Sequence, residues 1–72
     1  MTNIELLDRY IRESGLKRKK IAECLGITLN GLKKKTTGQH EFKASEIQVL
    51  CVLLGINTSD EKERIFFARN GE

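Results

Sequence analysis

Apolar residues recur along the first part of the chain at helical intervals. Ile4, Leu7 and Ile11 lie three and four apart, with Leu6 and Tyr10 beside them, so one stripe of a helix is apolar. Thr2, followed three residues later by Glu5, has the form of a capping box, and Gly15 stands where a left-handed residue ends a helix. From Lys17 to Leu25 a second helix is predicted, with Ile21, Ala22 and Leu25 on one side and most charges on the other; Gly26 ends it. Thr28 is a good N-cap for a third helix reaching about Lys35 or Thr36. Gly38 then stops that helix, and Gln39 to Phe42 read as loop.

Ser45 to Leu54 is strongly apolar. Its β-branched residues are compatible with a strand, but its length, the stop at Gly55 and the spacing Ile47, Leu50, Cys51, Leu54 favour a buried central helix. Ile56 adds to the core. Asn57, Thr58 or Ser59 can cap a last helix, where Asp60 and Glu61 suit the positive end of the dipole. Ile65, Phe66 and Phe67 close the ordered part and leave 68–72 as a tail. The prediction is an all-α fold of four or five short helices, in a single domain spanning residues 1–72. No proline, repeat or low-complexity stretch marks a boundary.

Size limits what such a chain can do. Seventy-two residues bury only about 60% of the surface the unfolded chain exposes, which leaves a thin core and little support for a deep catalytic cleft. One histidine, His40, and two cysteines, Cys24 and Cys51, supply no nucleophile–base–acid set and no metal cluster. We therefore expect no enzyme activity, metal or cofactor. Both cysteines fall in apolar helical patterns and read as buried, reduced thiols. No run nears the ~20 apolar residues needed to span a bilayer. The N-terminal MTNIELLDRYIRE carries acids where a signal peptide is basic and then apolar, so a cytoplasmic protein is expected.

Charge changes the picture through its placement. The net charge is +3, but residues 16–45 hold eight bases against two acids, and the remainder five bases against eight. A basic middle between acidic ends suggests a localised anion-binding face.

That middle also carries a spacing. Ala22, Gly26, Ile27 and Leu32 occupy positions 1, 5, 6 and 11 of one short unit, about residues 17–37. A small residue for close helix approach, a glycine for the backbone reversal and two apolar residues beneath the second helix are what a helix–turn–helix needs. The stretch LKRKKIAECLGITLNGLKKKTTGQHEFKASEIQVLCVLLGI, residues 16–56, resembles the DNA-binding domain of phage Cro and CI-type repressor proteins. The match runs without gaps from Leu16 to Gly38 and on to Leu50, Leu54 and Gly55. The size is similar to Cro-like proteins, among them the modulator-of-repression type of temperate phages of lactic-acid bacteria.

The resemblance implies a compact lambda-repressor-like domain whose third helix enters the major groove while the second crosses the backbone. By position, Leu29, Asn30, Lys33 and Lys34 would face bases. Asn30 suits adenine, a lysine suits guanine, and Leu29 suits a thymine methyl or a protein partner. Arg18 falls at a phosphate-contacting position, with Lys17, Lys19, Thr28, Thr37 and Lys43 as further phosphate candidates, and Gln39 and His40 of lower grade. The implied partners are double-stranded operator DNA in the host cell's nucleoid, a phage CI-type repressor, and a second copy in a homodimer. Leu29, Phe66 and Phe67 are candidate protein-interface residues, while Val49, Leu53 and the Phe66–Phe67 pair suit either core or contact. An antirepressor acting by protein–protein association is the alternative function. Four positions depart from the pattern. Leu29 stands where a polar base-reader is common. Gly31 costs a helix roughly 1 kcal/mol relative to alanine, Lys35 stands where an apolar residue is usual, and Thr36 where glutamate is common; together they predict a weakly supported third helix.

Overall fold

The computed structural model describes residues 2–67, so a reading of the tail 68–72 lies outside the described residues. Five helices follow one another: α1 (Ile4–Ser14), α2 (Arg18–Leu25), α3 (Leu29–Thr36), α4 (Ala44–Leu54) and α5 (Ser59–Phe66). No strand occurs among the described residues, and the fold is all-α as the periodicity predicts.

Local chemistry sets the ends of the helices. Thr28 Oγ1 accepts the Gly31 N–H at 2.9 Å and starts α3, and Thr58 Oγ1 accepts the Glu61 N–H at 3.1 Å and starts α5. The α2–α3 reversal turns on Gly26 at φ +73°, a left-handed conformation that disfavours any side chain. At the start of α1 the expectation of a Thr2 cap is corrected. Asn3 is the N-cap, its Oδ1 accepting the Leu6 N–H at 3.2 Å. The Asn3 N–H in turn donates to the Ile65 carbonyl at 2.6 Å, which ties the chain entry to α5 and sets the register one residue later. The α3 helix ends at Thr36 with Thr37 as its C-cap, and the left-handed Gly38 follows.

The core is one cluster: Leu7 and Ile11 of α1, Ile21 and Ala22 of α2, Leu32 of α3, Ile47 and Leu50 of α4, Ile65 and Phe66 of α5, with Phe42 and Ile56 from the connections. The α4 helix packs on α1 and α2, and α3 packs on α1 and α2. Phe42, read as loop, is buried, its ring edge-on to Phe66 with centroids 5.9 Å apart. Phe66, open to either a core or an interface reading, is core, whereas Phe67 is half-exposed. The expectation of two buried thiols is corrected. Cys24 is exposed, because it sits well round the α2 surface from the buried pair Ile21 and Ala22; only Cys51 is partly buried, and that burial pushes its thiol up.

Substituting Thr28 by alanine removes the oxygen that satisfies an end N–H of α3 and should cost about 1 kcal/mol of stability. Denaturant unfolding measures it, and a loss below about 0.3 kcal/mol would show that water replaces the cap.

Candidate nucleic-acid interface

The α3 helix presents two kinds of surface. Leu32 is 1% exposed and anchors the inner side. Asn30, Lys33, Lys34 and Thr37, spaced three, four and seven along the helix, share the outer side, and all four are exposed. Neither Lys33 nor Lys34 ends in an ion pair among the described residues. Thr37 Oγ1 donates to the Lys33 carbonyl at 2.9 Å, which closes the last turn. Thr28 spends its side-chain oxygen as acceptor for the cap and is exposed. Gly31 has a local reason. A Cβ there would stand 3.2 Å from Thr28 Oγ1, so glycine leaves room for the capping hydroxyl.

Support for α3 is firmer than Lys35 and Thr36 predict. Lys35 turns inward, its Nζ 2.5 Å from Glu46 Oε1, with both side chains largely buried. The ammonium also lies 5.9 Å from the centre of the Phe42 ring. The same Glu46 oxygen accepts the Lys43 N–H at 2.7 Å at the start of α4. One carboxylate therefore ties the C-terminal turn of α3 to the N-terminus of α4. Burial works against its charge, but the Lys35 ammonium and the Lys43 N–H outweigh that and hold the Glu46 carboxyl below its ordinary value.

No family model matches the chain, and no curated protein or solved structure matches it either.

The flank of α3 differs from its outer side. An open cleft of about 510 Å³ separates α3 from the start of α1, lined by Ile4, Leu29 and Leu32 as well as by Glu5, Asp8, Arg18 and Lys33. Leu29 is 51% exposed at this cleft. Arg18, on the first turn of α2, is bonded to Asp8 rather than left free, and Asp8 also holds Arg12 at 3.0 Å. Lys17 and Lys19 are exposed beside it, and Lys43 is exposed at the start of α4.

Sequence reasoning thus groups Asn30, Lys33 and Lys34 as the fold does; it sets Leu29 with them, which the fold places at the cleft, and Thr37 apart from them, and it misses Glu5, Asp8, Phe42 and Glu46. Asp8 and Arg12 carry a local signal, the i,i+4 spacing of opposite charges. Asp8–Arg18 and Lys35–Glu46 join different helices and carry none. Among the described residues no group of three or more metal-binding side chains occurs, and no helix is long and apolar enough to cross a membrane.

Proposed function

We propose that the chain is a Cro-like regulator of a phage lysogenic–lytic switch, which engages duplex operator DNA through α3, alone or together with a CI-type repressor. The observation that carries this reading is the outer side of α3. An amide and two ammonium groups, outside any ion pair among the described residues, project from a helix seated by Leu32 and by the Lys35–Glu46 bridge. Groove readers combine such groups for base edges with cations that displace counterions from phosphate. Within this reading Gly26 and Ile27 form the turn of a helix–turn–helix, and Lys17 and Lys19 are sequence-independent phosphate contacts.

One observation favours a second reading, an antirepressor that works by protein association. Leu29 is half-exposed over a cleft with an apolar floor and the carboxylates Glu5 and Asp8 at its edge. Apolar anchors in pockets dominate protein interfaces, whereas carboxylates beside a groove reader repel phosphate. Exposed Phe67 and Val52, the latter 83% exposed, offer further apolar contact for a repressor or a second copy.

An electrophoretic shift with the adjacent phage promoter region, run with and without the cognate repressor, tests both readings. A shift by this protein alone supports the DNA reading. Loss of the repressor's shift, with none from this protein, selects the antirepressor. For that case Leu29→Asp should weaken co-purification with the repressor at least tenfold, since it puts a charge where an apolar anchor docks; retained pairing would remove this cleft from the interface.

A further inference from the structure

Arg18 is a cation beside α3 whose charge is already taken within the domain. It sits on the first turn of α2 and lines the same cleft as Lys33 and Thr37 of α3. A phosphate strand laid along the outer side of α3 would pass it. The guanidinium is instead bonded to Asp8, ten residues earlier in α1, and that carboxylate is held from its other side by Arg12. Asp8 thus accepts from Arg18 through one carboxylate oxygen and pairs with Arg12 through the other. Both partners remain more than a third exposed, so the pair borders solvent and competes with ligands there.

We infer that Asp8 is an internal phosphate mimic, which holds Arg18 back from nucleic acid and weakens the affinity of the free domain for DNA. The inference rests on the DNA reading proposed above. It makes Asp8 a determinant of partner class. With the carboxylate in place, one phosphate contact is lost and a negative charge borders the groove; without it, the α2 N-terminus joins α3 in a continuous cationic surface.

The test measures affinity for a short DNA duplex by fluorescence anisotropy at several salt concentrations. Asp8→Asn should tighten binding about threefold or more and steepen the slope of log affinity against log salt by about 0.9, the signature of one added phosphate contact. Asp8→Ser, which removes the charge with a different side chain, should give the same gain. Adding Arg18→Gln to Asp8→Asn should abolish the gain, and Glu5→Gln, which removes a charge from the same cleft but from no arginine, should give less of it. Unchanged affinity in Asp8→Asn, while the unaltered protein binds, overturns the mimic and leaves the DNA reading standing. A gain that survives Arg18→Gln, or that Glu5→Gln reproduces in full, also overturns it, because the general field would then be the cause. If neither the unaltered protein nor Asp8→Asn binds any duplex at low salt, the mimic and the DNA reading fall together.

Discussion

Replacing Lys35 by methionine will lower the stability of the domain by about 2–3 kcal/mol. The methionine keeps an unbranched apolar stem at this position but leaves the Glu46 carboxylate buried, with the Lys43 N–H as its remaining partner. Removing one member of a buried ion pair costs roughly 3–5 kcal/mol; the residual exposure of Lys35 puts this case at or just below the bottom of that range. A domain of this size has only about 4–10 kcal/mol in total, so the melting temperature should fall by about 10–20 °C. The double variant Lys35→Met/Glu46→Gln should recover at least ~1 kcal/mol, because the amide oxygen still accepts the Lys43 N–H and no charge stays buried. Thermal melts followed by circular dichroism decide this. A loss under 0.5 kcal/mol, or a double variant no better than the single, would mean that water solvates the carboxylate.

The same pair sets a dependence on acid. Glu46 titrates lower in the folded protein than in the unfolded chain, where its ordinary value is 4.5. Its contribution is therefore complete above that value and is lost as pH falls through the depressed one. Stability of the unaltered protein should drop below about pH 4.5 more steeply than that of Lys35→Met/Glu46→Gln.

How far the chain can be read from its sequence depends on how local each cause is. Gly15, Gly26 and Gly55 end helices where the sequence places them, and Thr28 and Thr58 begin them, because caps and left-handed ends involve neighbours three or four residues apart. The outer side of α3 is legible for the same reason: Asn30, Lys33 and Lys34 follow from helical spacing once Leu32 is taken as buried. Partners that meet only in the folded state are not legible. Lys35 looks like a defect in the apolar pattern until Glu46, eleven residues on, is seen beneath it. Arg18 looks free until Asp8 is seen across the cleft. Phe66 and Phe67 look equivalent as neighbours, and only the edge-on contact with Phe42 tells which is core. Asn3 displaces Thr2 as cap because a long-range bond to Ile65 fixes the entry of α1.

Lys33→Ala/Lys34→Ala is the variant with the largest expected effect on function. Both side chains are exposed and outside any ion pair among the described residues, so their loss leaves the core and the α3 cap intact. The melting temperature should stay within about 2 °C, since surface changes stay within roughly ±0.5 kcal/mol. Binding should respond far more. Each lysine placed against a base edge is worth roughly 1–3 kcal/mol of discrimination, and each against a phosphate about 0.9 in the salt slope. On the proposed DNA reading, operator affinity should fall at least about thirtyfold, to the level of unrelated duplex DNA. Lys19→Ala/Lys20→Ala removes the same charge from α2 and separates reading from attraction. It should weaken operator and unrelated DNA together and keep their ratio, whereas the α3 variant collapses that ratio. Equal losses from the two variants would reduce α3 to a source of charge. An unchanged shift with Lys33→Ala/Lys34→Ala would take DNA reading away from α3 and turn the assignment to the protein-facing cleft at Leu29.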